Sequence, residues 1–171
     1  LLLMEFKRAI EHVLKHEGGY SYHKDDRGGE TIYGITVKVA KANGYLGRMR
    51  IMPREIALEI YEKEYWLKGK CNMLPEHIRY MHLDACVNHG VGGAAKILQR
   101  EIGVTADGDI GPQTLGEVQK ATIDGLTYER LRYYARIVSR NKSQSVFLKG
   151  WINRAIEVEK TSKEYYENDC N

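Results

Sequence analysis

Residues 4–36 read MEFKRAIEHVLKHEGGYSYHKDDRGGETIYGIT, and their pattern changes character twice. Phe6, Ile10, Val13 and Leu14 recur at the i, i+4, i+7, i+8 spacing of one helical face, which predicts an amphipathic helix over 4–16. Glu17-Gly18-Gly19 ends it, because two glycines release the backbone into a turn. From 20 to 35, tyrosines alternate with polar residues around Asp25-Asp26 and Gly28-Gly29, so the stretch reads as an irregular loop or a short β-hairpin. Helix resumes after Thr36, a suitable N-cap for 37–44, and Gly44 closes it.

Helical signals dominate the rest of the chain. Pro53 suits the first position of a helix over 53–66, with Ile56, Ile60 and Tyr61 inward. Pro75 opens another that runs to about Val87 and is interrupted at Gly90, Gly92 and Gly93. Residues 94–102 are helical again, 106–111 form a glycine-rich turn, and Pro112 starts the next helix. Two last helices are expected at 126–141 and 147–167. Their inward faces carry Leu131, Tyr134 and Val138, then Leu148, Trp151, Ile152, Ala155 and Ile156. The fold class is therefore mainly α, an α+β helical bundle with one small β or loop element near residues 20–35.

Composition narrows the function classes. The chain has 171 residues, 43% hydrophobic and 29% charged, enough apolar material for a core in one domain or one domain with a small module. The net charge of +3 favours an anionic partner, but acidic and basic residues alternate, so nucleic acid is not indicated. No stretch approaches the ~18 apolar residues of a membrane span, so no membrane insertion is expected. Leu1-Leu2-Leu3-Met4-Glu5 is too short and too soon charged for a signal peptide, which leads to the expectation of synthesis in the cytoplasm. Cys71, Cys86 and Cys170 are odd in number and fit no disulfide framework. The C-x5-H-x4-H-x3-C spacing of Cys71, His77, His82 and Cys86 matches no standard zinc finger, so neither metal nor cofactor is expected.

Glu17 is the first residue whose placement suggests chemistry. Cleaving a glycosidic bond needs a carboxylic acid to protonate the leaving oxygen, and a second group to meet the oxocarbenium-like centre directly or through water. A carboxylate at a helix C-terminus faces the negative end of the dipole, which disfavours ionisation, as a proton donor requires. Gly18 and Gly19 leave room for a polymer. Asp26 would bind or activate a water, and Thr31 or Thr36 would orient it. The plainer alternatives are a solvated helix-end Glu17 and ordinary turn chemistry at Asp25-Asp26.

The run His16-Glu17-Gly18-Gly19-Tyr20, followed by Asp26-Arg27-Gly28-Gly29-Glu30-Thr31-Ile32-Tyr33-Gly34-Ile35-Thr36, resembles the N-terminal signature of glycoside hydrolase family 108. These are N-acetylmuramidases of phages, prophages and Gram-negative bacteria, often labelled secretion activator proteins. Tyr65-Trp66, Leu83-Asp84-Ala85-Cys86-Val87-Asn88-His89-Gly90 and Ala94-Ala95-Lys96-Ile97-Leu98-Gln99 resemble further blocks of that family, so the similarity spans nearly the whole chain. It implies a lysozyme-like catalytic part at 1–92 and a helical peptidoglycan-binding-like part at 93–171. It implies hydrolysis of the β-1,4 bond between N-acetylmuramic acid and N-acetylglucosamine, with Glu17 as the acid. The Glu…Asp…Thr order is similar to the triad of phage-type lysozymes, placing Glu17, Asp26 and Thr31 in those roles. The gap between Asp26 and Thr31 is one residue shorter than in that group.

The same resemblance makes Tyr20 and Tyr33 candidates for stacking on sugar, whereas Tyr65 and Trp66 read as structural. Asp84 and Asn88 share a helical face at i, i+4 and would line the cleft floor and bind sugar N-acetyl or hydroxyl groups. Their alternative is a satisfied polar pair inside the core. Residues 106–115 resemble the D-G-x-x-G-P-x-T turn of peptidoglycan-binding modules, which reads first as structure, with Asp107 capping the turn. The partner implied is the peptidoglycan glycan strand, met in the periplasm by a monomer after export through a holin or secretion channel. Two rival functions remain from the sequence: a lytic transglycosylase, and a non-catalytic wall-binding or secretion-accessory protein.

Overall fold

The computed structural model describes residues 2–22 and 29–169. Contacts divide the chain into two compact units, Leu1–Leu67 and Lys68–Asn171.

The first unit opens with α1 (Leu2–His16). Of its predicted stripe Phe6, Ile10 and Val13 are buried and Leu14 is half-buried, while Ala9 joins the buried face. Three short strands follow, β1 (Ser21–Tyr22), β2 (Glu30–Ile32) and β3 (Ile35–Thr36), forming an antiparallel meander in that order. Ser21 pairs with Thr31, Thr31 with Thr36, and Ile32 with Ile35. Of the loop and hairpin alternatives, the hairpin is therefore the one that forms. β2 and β3 are joined by Tyr33-Gly34 alone, both at positive φ (+52° and +75°), as a two-residue turn matched to strand twist requires.

Thr36 caps α2 (Val37–Ala42), its Oγ1 accepting the Val39 N–H at 3.3 Å. A 3-10 turn at Met49–Ile51 packs on β2. Pro53 sits at the cap, one place earlier than expected, and α3 (Arg54–Tyr61) follows. Its continuation over Glu62–Leu67 is a π-helical turn, where Trp66 is buried with its ring 5.6 Å from that of Phe6.

The second unit contains α4 (Glu76–His89), α5 (Val91–Glu101), α6 (Pro112–Glu117), α7 (Ile123–Arg140) and α8 (Leu148–Asp169). α4 packs against α5 and α8, and α7 against the same two. Ile78 and every residue from Tyr80 to Cys86 are buried, so α4 is the axis of this unit and lacks a solvent face there.

The glycine interruption is shorter than expected. Only Gly90 breaks the helix, while Gly92 and Gly93 lie inside α5. Gly93 earns its place by packing, because a Cβ there would sit 2.9 Å from the Tyr133 hydroxyl of α7. α7 starts earlier than its apolar pattern suggests, at the Thr122 cap that accepts the Gly125 N–H at 2.9 Å. Ile156, expected inward, is 52% exposed; α8 buries Ala155 as expected, together with Val158 and Ser162. No described helix is long and apolar enough to cross a membrane.

Candidate active site

Glu17 follows α1 directly and is half-buried. Its carboxylate lies over the β2–β3 turn at the one place without a side chain. A Cβ on Gly34 would lie 3.0 Å from Glu17 Cδ, closer still to Oε2, and 3.1 Å from the Tyr61 hydroxyl. Gly34 thus satisfies two demands, since its φ of +75° suits glycine and its missing Cβ leaves the volume that the carboxylate occupies. The Tyr61 hydroxyl donates to the Tyr33 carbonyl, which braces the turn from the α3 side. Tyr61 itself is buried, its ring 5.3 Å from that of Tyr65. Helix end, hairpin turn and α3 therefore fix one carboxylate beside one phenol.

The sheet adds a row of hydroxyls. Ser21, Thr31 and Thr36 are cross-strand neighbours, so their side chains share a face. Ser21 Oγ and Thr31 Oγ1 are 2.7 Å apart. Thr36 uses its oxygen for the α2 cap. Tyr20 donates to Glu30 Oε1 at 2.6 Å and lies under the Arg50 guanidinium, 4.5 Å from the ring centre. The hydrogen bond to Glu30 raises the Tyr20 phenol above its usual range. Tyr33 enters the site through its carbonyl and its positive φ. Asp26 lies outside the described residues.

Asp84 and Asn88 belong to the second unit. Asp84 is fully buried, with Arg130 Nη2 at 2.6 Å from Oδ2 and Arg154 Nη2 at 2.9 Å from Oδ1. Burial alone would push its carboxyl up, but the two guanidiniums outweigh it and hold the group below its ordinary value. This is the interior alternative for Asp84, that of a satisfied polar group. Asn88 is half-buried, its Nδ2 3.2 Å from His89 Nε2. His89 sits among the rings of Tyr133, Tyr134 and Trp151, where burial and then Arg130 press its pKa down to about 3 and keep it neutral.

The 106–115 turn is held by a residue with no obvious part in the sequence pattern. Gln99, buried on α5, donates through Nε2 to Asp107 Oδ1 (2.7 Å), the Asp109 carbonyl (2.9 Å) and Thr114 Oγ1 (3.1 Å). Its Oε1 accepts the Gly108 N–H at 2.9 Å. Asp107 Oδ1 also accepts the Asp109 N–H at 2.9 Å, the capping role expected of it.

The cysteine and histidine set divides. Among the described residues one group, Cys71, His82 and Cys86, brings three potential metal-donor atoms within 4.8 Å of one another. His77 is elsewhere, its Nε2 2.9 Å from the Ala121 carbonyl.

Gly34, Gln99, Arg130 and Arg154 are site or framework residues that sequence reasoning did not single out, and Tyr61 was expected only as an inward-facing helix residue. For Gly34 a signal existed, since Tyr33-Gly34 stands between Ile32 and Ile35 as a two-residue hairpin link would. The others act through contacts distant in sequence, for which a single sequence carries no signal.

A mainly helical α+β unit with a carboxylate over a hairpin turn, joined to a helical bundle with a braced D-G-x-x-G-P turn, defines the lysozyme-like class. Residues 10–90 match the family model described as glycosyl hydrolase 108, and residues 93–156 match that described as a predicted peptidoglycan domain. The solved structure of SagA from Brucella abortus is 31% identical, with 93% of this chain and 94% of that chain covered and a TM-score of 0.78. The chain belongs to the glycosyl hydrolase 108 family, and is a peptidoglycan-degrading glycosidase with a peptidoglycan-binding domain. No curated protein matches its sequence.

Proposed function

We propose that this protein is an N-acetylmuramidase, hydrolysing the β-1,4 bond between N-acetylmuramic acid and N-acetylglucosamine with Glu17 as general acid. The observation that carries the reading is the Glu17 carboxylate lying over Gly34 beside the Tyr61 hydroxyl. A proton donor must be held still against the leaving oxygen, and this carboxylate is set by a helix end, a tight turn and a buried phenol. Glu17 gives its proton to the glycosidic oxygen as the bond to the anomeric carbon breaks, and the leaving sugar departs as an alcohol. Water adds to the anomeric carbon and loses its proton to the second carboxylate, for which Asp26 is proposed. Thr31, in the hydroxyl row with Ser21, is proposed to orient that water. Tyr20 and Tyr33 are proposed to border the sugar, and the second unit to hold the glycan strand. The enzyme acts in the periplasm after export through a holin or secretion channel encoded elsewhere.

Clearing of outer-membrane-permeabilised cells by wild type and by Glu17→Gln is the test. Loss of the acid lowers the rate on the order of 10²-fold or more. A variant that clears walls like wild type would overturn the assignment. Mass spectrometry of the products separates hydrolysis, which leaves a hydrated reducing end, from transglycosylation, which leaves an anhydro-sugar.

A further inference from the structure

Cys71, His82 and Cys86 have no part in the sugar chemistry, yet they occupy the interior of the second unit. Cys71 begins a 3-10 turn at Cys71–Met73, and His82 and Cys86 lie one helical turn apart on α4. All three are buried and the two thiols hydrogen-bond each other. We propose that Cys71 and Cys86 are the two halves of an intramolecular disulfide that forms when the protein folds under oxidising conditions, tying the 71–73 turn to α4.

Several observations support the pairing. A disulfide requires two sulfurs close enough to bond after small rotations, and these already lie in the same 4.8 Å cluster. His82 Nε2 is 3.0 Å from the Gly69 carbonyl, which can only accept, so this nitrogen carries the proton. The same ring also hydrogen-bonds Cys86. The thiols are driven apart in acidity. Burial pushes Cys71 up, while the hydrogen bond from Cys71 and then the charge of His82 pull Cys86 down, to about 5. The substrate of this family lies outside the reducing cytoplasm, where disulfides persist. A zinc ion is the poorer occupant, because a closed zinc site takes four ligands and no fourth donor joins this cluster among the described residues.

The exchange balances with a small-molecule disulfide as oxidant. One of the two cysteines, as its thiolate, attacks one sulfur of RSSR, forming a mixed disulfide and releasing RS⁻. The other then loses its proton and attacks the protein sulfur of that mixed disulfide, expelling the second RS⁻. Both thiolates leave as RSH after taking up the two protons, so the protein pair is oxidised and RSSR is reduced. In the folded protein the pair is inaccessible, so the step belongs to folding, before α4 is covered.

The test is refolding of the whole reduced, unfolded chain in a glutathione redox buffer, followed by acid quench, denaturation, alkylation and mass spectrometry. The expected product has one alkylated cysteine, Cys170, a mass lower by two hydrogens, and a Cys71–Cys86 cross-linked peptide. Complete reduction lowers its Tm by about 6–12 °C, as the loss of a bridge closing a loop of about 15 residues predicts. Cys71→Ala abolishes the cross-link and the response to reductant; should that variant not fold, the wild-type thiol count and melting shift decide alone. Three alkylated cysteines in the refolded native protein, or a bridge to Cys170 instead, would overturn the proposal. So would one zinc per chain that protects both thiols until a chelator removes it.

Discussion

Gly34→Ala tests the site's construction with one methyl group. Two effects add. Alanine at φ +75° is strained by about 1–3 kcal/mol, and the new Cβ enters the volume held by the Glu17 carboxylate. Glu17 Cδ would stand 3.0 Å from that Cβ, with Oε2 nearer still, so the carboxylate must retreat by about 1 Å to reach ordinary contact. Misplacing a reacting group by about 1 Å costs on the order of 10²-fold in rate. Gly44→Ala is the control, because Gly44 has φ +85° with nothing within 4 Å of its would-be Cβ. Both variants should melt a few degrees lower, by about 2–4 °C per kcal/mol of strain. Only Gly34→Ala should also lose about 10²-fold in clearing of permeabilised cells, assayed well below the melting range. If it clears within twofold of the control, the carboxylate over the turn is not the reacting group, and the reasoning from Gly34 to Glu17 fails.

Two predictions concern the second unit. Asp84→Asn removes the buried carboxylate that both Arg130 and Arg154 contact and should cost about 3–5 kcal/mol in urea unfolding at neutral pH. The Asp84 pKa is lowered on folding from its ordinary 3.8, so its stabilisation is fully present above that value and is lost as pH falls through the lower folded one. The gap between wild type and variant should therefore stay constant from pH 7 to about pH 5 and close only below about pH 4. Closure already between pH 5 and 7 would contradict the ion-pair account. Gln99→Leu keeps the volume but leaves the Gly108 N–H and the Asp107 carboxylate without their amide partner; a loss of about 1–3 kcal/mol by thermal melting is expected, and an unchanged Tm would show that the turn holds itself.

Local physics was legible from the sequence. The α1 stripe, the Thr36 cap and the Asp107 turn each depend on neighbours within a few residues, and each is found where the pattern puts it, Leu14 at the edge of the stripe excepted. The glycines at 92 and 93 misled, because a glycine pair reads as a break unless the helix packed against it is known. Ile156 misled in the opposite way, since an apolar residue beside the stripe is exposed when no neighbouring element covers it.

By itself the sequence determined the class: a mainly helical chain, a loop or short hairpin after the first helix, an acid at that helix's end, and blocks specific enough to indicate the glycosyl hydrolase 108 family. These follow from periodicity, turn chemistry and short motifs, all properties of adjacent residues. Only the tertiary structure decided what each polar residue touches. It set Glu17 over the bare backbone of Gly34, took Asp84 into the interior between two arginines, and brought Cys71 to Cys86. The physical reason is shared by all three. A buried or crowded polar group must find its partner wherever the packed chain supplies one, and that partner's position in sequence is unconstrained.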